Sequence, residues 1–276
     1  MFKSILAVSE GGPDAAMSFK LAARVAGLFD GTVDALHLPV GPAGGMIGGL
    51  AMSGEAMPLI MNLDDERLEE RAKESERAYK ELLEPVKGST FTAAKTATLD
   101  TLVAMGRCSD VLVLGRPGAD PENVAPATVE AAIHECARAV MIAPPNPGEG
   151  PFDSVIVAWN GSFQAARAVE YALPFLAKAK EITILVAGST ADDVGAPYLA
   201  RNLGRHGIKT TIDAIDPGAV SARARGRALL DYTHGKGSSL LVMGAYGRGQ
   251  VMSFLGMGGA TAKVISSCRV PLLMAH

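Results

Sequence analysis

Residues 2–12, FKSILAVSEGG, lie over residues 152–162, FDSVIVAWNGS, without a gap. Phe2 meets Phe152, Ser4 meets Ser154 and Gly11 meets Gly161, while Ile5/Val155 and Leu6/Ile156 keep apolar residues in step. The constant offset of 150 continues through Ala15/Ala165, Ala16/Ala166 and Ala22/Ala172. Further on, DVLVLGRPG (residues 110–118) matches SLLVMGAYG (residues 239–247), and CARAVMIA (136–143) matches CRVPLLMA (268–275). Recurrence on this scale marks a duplicated unit. The chain therefore reads as two tandem copies, residues 1–143 and 152–276. Between them PPNPGEGP (144–151) is half proline, has no hydrophobic period, and reads as a linker.

Within each copy, short apolar runs alternate with longer amphipathic ones. In the second copy Ser154–Ala158 reads as a buried strand and residues 164–177 as an alanine-rich helix. Strands are expected at 181–186, 209–215, 240–243 and 270–275, and helices at 197–206, 221–234 and Ala260–Ser267. Strands apolar on both faces and separated by helices demand a parallel sheet covered on both sides. Right-handed crossovers then leave an α/β fold of two tandem doubly wound, mostly parallel five-stranded sheets of Rossmann-like type. The first copy departs after its second strand. Residues 41–60 hold six glycines, two prolines and one charge, and read as a glycine-rich loop in place of a bilayer helix. Residues 62–84 follow with fourteen charges in 23 positions. Leu68, Ala72, Tyr79 and Leu82 or Leu83 recur at helical spacing, with Glu69/Lys73 and Glu76/Lys80 as i,i+4 pairs, so a solvated helix with a thin apolar stripe is expected.

The length of 276 residues suits two domains better than one, at roughly 150 residues each. Apolar residues make up 48% and charged residues 20%, which allows a packed core; aromatics, at 5%, leave that core to aliphatic side chains and methionine. With 26 basic against 29 acidic residues, net −3, composition offers no argument for nucleic acid or a membrane as partner. Cys108, Cys136 and Cys268 are scattered and odd in number, as suits a reducing compartment. The opening MFKSILAVSEGG is too short in its apolar run for a signal peptide, so a cytoplasmic location is expected.

Ligands of open parallel sheets sit at the carboxyl ends of strands, where strand order reverses. In the second copy those ends lead into Ala158-Trp159-Asn160-Gly161-Ser162, into Val186-Ala187-Gly188, and into GAYGRGQVMSFLGMGGAT, residues 244–261. Its glycines allow close backbone approach, and the free amides of Gly259, Ala260 and Thr261 at a helix start form an anion site that Arg248 and Lys263 can supplement. A polyphosphate suits such a loop. Glycine content alone fits equally well a turn that needs only its torsion angles. No P-loop and no G-x-G-x-x-G occurs. His37, His134, His206, His234 and His276 show no ligand spacing, so no metal site is expected. Ser162 reads as a helix N-cap, Cys136 and Cys268 as packing residues before a strand, and Trp159 as a residue packed between the halves. No catalytic residue emerges, since neither paired carboxylates nor a nucleophile–base pair can be argued.

An apolar strand, a short Asn-Gly-Ser turn, an alanine-rich helix, then V-M-G-x-x-G and a closing C-x-V-P-L-L-M make the second copy resemble the universal stress protein family. With its fainter first copy, nearly the whole chain resembles a tandem member, a pseudo-dimer in one polypeptide. The resemblance implies an adenine nucleotide such as ATP as cofactor. Ala158 and the backbone of Val186 would face adenine, and Asn160 takes the place of the family's Asp. Gly244 and Gly247 would follow ribose and phosphates, while Gly258, Gly259 and Ala260 would cradle phosphate, helped by Arg248 and Thr261. Ten residues separate Gly247 from Gly258, and the family's Gly-Ser pair is Gly258-Gly259 here. In the first copy Pro126-Ala127 replaces the glycine pair and Glu10 stands at the place of Asn160, so nucleotide is expected in the second half only. The expected function is that of a non-catalytic stress-response or signalling module, with ATP hydrolysis slow and incidental. Its partners would be the nucleotide and a protein, and self-association into a homodimer stays open. Two alternatives also stay open: a nucleotide-free structural or interaction pseudo-dimer, and a small-molecule enzyme uniting Asn160, Arg248 and a histidine.

Overall fold

Residues 5–8, 111–114 and 240–243 contain nothing polar to turn toward water, so each must be covered on both sides; all three are central strands with every side chain buried. The computed structural model describes residues 1–12, 15–39, 57–94, 96–117, 124–216, 218, 221–246 and 259–276, with the backbone alone over 57–65. The first copy runs β1 (Ser4–Ser9), α1 (Ala15–Phe29), β2 (Thr32–His37), α2 (Met57–Leu82), β3 (Thr90–Thr92), α3 (Leu99–Arg107), β4 (Val111–Gly115), α4 (Pro126–Glu135) and β5 (Ala139–Ala143). The second runs β6 (Ser154–Ala158), α5 (Phe163–Leu176), β7 (Glu181–Ala187), α6 (Ala196–Arg205), β8 (Thr211–Ile215), α7 (Ala222–Gly235), β9 (Leu240–Gly244), α8 (Ala260–Ser267) and β10 (Leu272–Ala275). The last strand starts two residues later than expected. Pro271 has no N–H for a ladder, although its carbonyl accepts the Leu241 amide at 3.0 Å.

Both copies carry the doubly wound order, and they merge edge to edge into one ten-stranded sheet, β3-β2-β1-β4-β5-β10-β9-β6-β7-β8. The seam is the antiparallel pair β5/β10, with Leu272 opposite Ile142 and Met274 opposite Val140. The other strand pairs are parallel. Helices α1, α2, α5 and α6 bury apolar residues on one face, and α3, α4, α7 and α8 on the other. Phe2 and Phe29 from the first copy meet Phe152 and Phe175 from the second, with successive ring centroids 5.0–5.2 Å apart. The halves thus share a core as well as a sheet.

Arg24 of α1 fastens the linker. Its guanidinium donates to the carbonyls of Pro147 at 2.6 Å, Gly150 at 2.7 Å and Pro151 at 3.0 Å, and lies 3.7 Å over the Phe152 ring.

One expectation about the first copy needs correction. Residues 57–60, read as the end of a loop, are the first turn of α2, where Pro58 is tolerated because no intrahelical donor is needed. Residues 40–56 lie outside the described residues. The apolar stripe expected on α2 packs inward, with Tyr79 and Leu82 against the core and Leu83 buried just past the helix end; Ser75 and Ala78 are buried too, and the backbone of Arg71 packs directly on Gly11. Glu76 and Lys80 pair at 2.6 Å, while Lys73 lies 3.9 Å from Glu70.

Candidate functional site

In the second copy the chain moves outward from β6 to β7 and β8, then returns to β9 and β10. Strand order therefore reverses between β6 and β9, and a crevice opens at their carboxyl ends. Ala158 ends β6 opposite Met243, and Gly244 ends β9. Gly244 is glycine because α5 lies on it. A Cβ there would stand 2.6 Å from the Ala165 nitrogen and 2.9 Å from Gln164 Cβ. Val186 sits inside the sheet opposite Ala214, with its side chain buried in the core.

Asn160 is exposed and turns back on its own loop, its Oδ1 accepting from Ser162 N at 3.1 Å and Ser162 Oγ at 2.7 Å. Ser162 Oγ in turn accepts the Ala165 amide at 3.2 Å, so Ser162 is the N-cap of α5, as the sequence reads. Trp159 is not a wedge between halves. Its Nε1–H donates to the Val194 carbonyl at 2.7 Å within its own copy, satisfying a polar edge that an interface core would strand.

Beyond Gly244, Ala245 donates its amide to Ala275 at 2.8 Å, and Tyr246 takes the left-handed conformation at φ 48°. Two neighbours hold it there. Gln164 Nε2 donates to the Tyr246 carbonyl at 3.1 Å, and the Tyr246 amide donates to Thr261 Oγ1 at 3.4 Å. Thr261 belongs to the first turn of α8, whose N-cap Gly259 has no side chain to offer. The amides of Ala260, Thr261 and Ala262 lack intrahelical acceptors by the geometry of a helix start, and they find none among the described residues. Gly226 of α7 admits this turn closely, since a Cβ there would lie 2.8 Å from the Ala260 carbonyl. Gly247, Arg248 and Gly258 lie outside the described residues.

The first copy finishes the edge of this crevice, because the antiparallel seam sets the amino ends of its strands beside the carboxyl ends of the second. The His134 ring at the end of α4 lies tilted, 5.1 Å from Tyr246, and edge-on, 4.4 Å from His276, whose Nδ1 lies 3.2 Å from the Ala245 carbonyl. Burial, then the neighbouring His276, pushes the His134 imidazole below its ordinary pKa. The grouping escapes sequence reading because Tyr246 meets His134 only across the sheet seam and Gln164 only through a helix–strand contact. Cys136 and Cys268 are buried packing residues, their thiols pushed by burial up to about 11. Among the described residues no cluster of three metal-ligating side chains occurs.

The corresponding place in the first copy is already filled. Glu10 is buried, accepting the Ala125 amide on Oε2 at 2.9 Å and the Thr128 hydroxyl on Oε1. Its carboxylate thus rests on the first turn of α4. Arg71 of α2 donates to the Glu10 carbonyl at 2.7 Å, and Glu74 Oε2 accepts the Gly12 amide at 2.7 Å, closing the turn from above.

These features define a duplicated doubly wound α/β pseudo-dimer. Solved structures share the whole arrangement. A universal stress protein from Archaeoglobus fulgidus superposes at TM-score 0.64 with 18% identity, covering 99% of this chain and 97% of that one. A putative universal stress protein from Pseudomonas aeruginosa gives 0.55 with 14% identity, covering 99% and 92%. A functionally unknown protein of the same organism gives 0.54 with 14% identity and the same coverage. No protein-family model and no curated protein matches the chain. The fold is that of tandem universal stress proteins. No helix among the described residues is long and apolar enough to cross a membrane.

Proposed function

We propose that this chain is a cytoplasmic universal stress protein, a non-catalytic stress-response module that binds one adenine nucleotide in its second half. The observation that carries the reading is the contrast between the two helix starts. In the first copy a carboxylate of the protein itself, Glu10, rests on the first turn of α4. At the equivalent position Asn160 turns back on Ser162, and the first-turn amides of α8 keep no acceptor among the described residues. A phosphate suits helix-start amides in charge and hydrogen bonding. Residue type supports binding in place of catalysis: Ala158, Asn160, Gly244 and Thr261 would supply contacts and space, and among the described residues no carboxylate–nucleophile pair meets beside them.

Titration calorimetry with ATP, ADP, AMP and adenosine tests this. One site per chain is expected, with affinity rising with phosphate number. Ala260→Pro removes one amide at a helix position that suits proline, and should cost ATP about tenfold or more while sparing adenosine. Absence of binding at millimolar nucleotide would overturn the proposal.

A further inference from the structure

The exit of β2 holds a polar residue where the second copy places an apolar one. His37 and Val186 are each the sixth residue of their strands, and both are buried. A histidine at a site that valine can fill carries a desolvation cost and calls for a chemical reason. His37 lines a half-open cavity of about 390 Å³ beneath α2, with Pro39, Leu68, Ala72, Ala93 and Ala94 as further walls and Glu69 and Lys73 supplying one charge of each sign.

The hydrogen-bond chain behind His37 fixes which nitrogen carries its proton. The Gly11 amide donates to Ser9 Oγ at 3.1 Å, Ser9 Oγ lies 2.8 Å from Ser75 Oγ, and Ser75 Oγ lies 2.9 Å from His37 Nδ1. If Ser9 donates to Ser75 and Ser75 to Nδ1, every hydroxyl proton is used and the ring proton sits on Nε2. The opposite order strands the Ser9 proton in a buried site as well as leaving Nε2 bare. The first order leaves a single unmatched group, the Nε2–H, and Nε2 has no partner among the described residues. Ser75 is itself fully buried and holds the ring in place instead of serving as a nucleophile.

Glu10 supplies the remaining constraint. Its carboxylate already occupies the helix start in this copy, so the position proposed for phosphate in the second half is taken here. The geometry points to a second binding site, in the first half, for an uncharged and mostly apolar small molecule whose one hydrogen-bond acceptor takes the proton of His37 Nε2. The cavity volume falls within the usual range for small-molecule sites. This site is independent of the nucleotide proposed for the second half.

Acetophenone serves as probe on the full chain, against ethylbenzene, which has no acceptor, and benzoate, which carries a charge. In nitrogen-detected histidine NMR, His37 is expected as the Nε2–H tautomer, and acetophenone should shift its signals saturably. Ethylbenzene should bind at least tenfold more weakly and benzoate not at all, with saturating ATP changing none of this. His37→Phe should erase the preference for acetophenone over ethylbenzene, and Ala72→Leu, which fills a wall, should abolish the shift. An Nδ1–H tautomer, no saturable shift, or unchanged binding in Ala72→Leu would overturn the site. Should His37→Phe fail to fold, the tautomer, the ethylbenzene comparison and Ala72→Leu decide the matter.

Discussion

Ala125 donates its amide to Glu10 Oε2 at 2.9 Å, a bond that crosses the first copy's crevice and seats a carboxylate at the start of α4. Burial raises the Glu10 pKa from its ordinary 4.5, outweighing the lowering by Thr128, Ala125 and Arg71. A carboxyl raised on folding contributes stability that is whole below the ordinary value and is lost as pH climbs through the folded one. Wild type should therefore lose stability relative to Glu10→Gln as pH rises above 4.5. Urea denaturation of both chains across that range measures it. A gain with rising pH would mean that the donors, and not burial, dominate.

Gly244→Ala should destabilise by about 1–3 kcal/mol, because the new methyl overlaps the backbone of α5 at Gln164 and Ala165. Loss of the N-cap in Ser162→Ala, on the same turn, should cost about 1 kcal/mol. Denaturant midpoints rank the two. Equal effects would show that α5 can back away from β9 at little cost.

How much of this could be read beforehand depends on distance along the chain. Phe2 over Phe152 and Cys136 over Cys268 reveal the duplication, since local patterns repeat what local structure repeats. Ser162 is legible as an N-cap because its partner is Ala165, one turn away. Asn160 shows its residue type but not its direction: the choice between turning inward and bonding Ser162 depends on a competition that no spacing encodes. Gln164 with Tyr246, and Glu10 with Thr128, meet through sheet order alone. The β5/β10 seam is equally silent, because an apolar strand such as AVMIA pairs equally well in either direction.

Arg24→Ala should cost about 2 kcal/mol, from three charge-assisted bonds to the carbonyls of Pro147, Gly150 and Pro151 and the contact with Phe152. Arg24→Lys should restore less than half of that, since one ammonium cannot reproduce a planar fork. Limited proteolysis at residues 144–151 gives a second reading, with faster cleavage expected in both variants. Unchanged cleavage would mean that the linker holds its path without Arg24.

His37 should make the fold acid-sensitive. Burial, then the nearby Arg71, lowers its pKa from 6.5 to about 4. The unfolded chain therefore takes up a proton between those values while the folded chain refuses it. Stability due to this group is whole above 6.5 and is lost as pH falls toward 4, by at most about 3 kcal/mol. A chain carrying His37→Gln has no such group, so wild type should lose its advantage over that variant across this window. Glu10 acts in the opposite sense over part of the same range, which is why the paired comparison, and not the wild-type curve alone, isolates His37. Parallel curves for the two chains between pH 7 and 4 would show that the imidazole is reached by solvent and titrates normally.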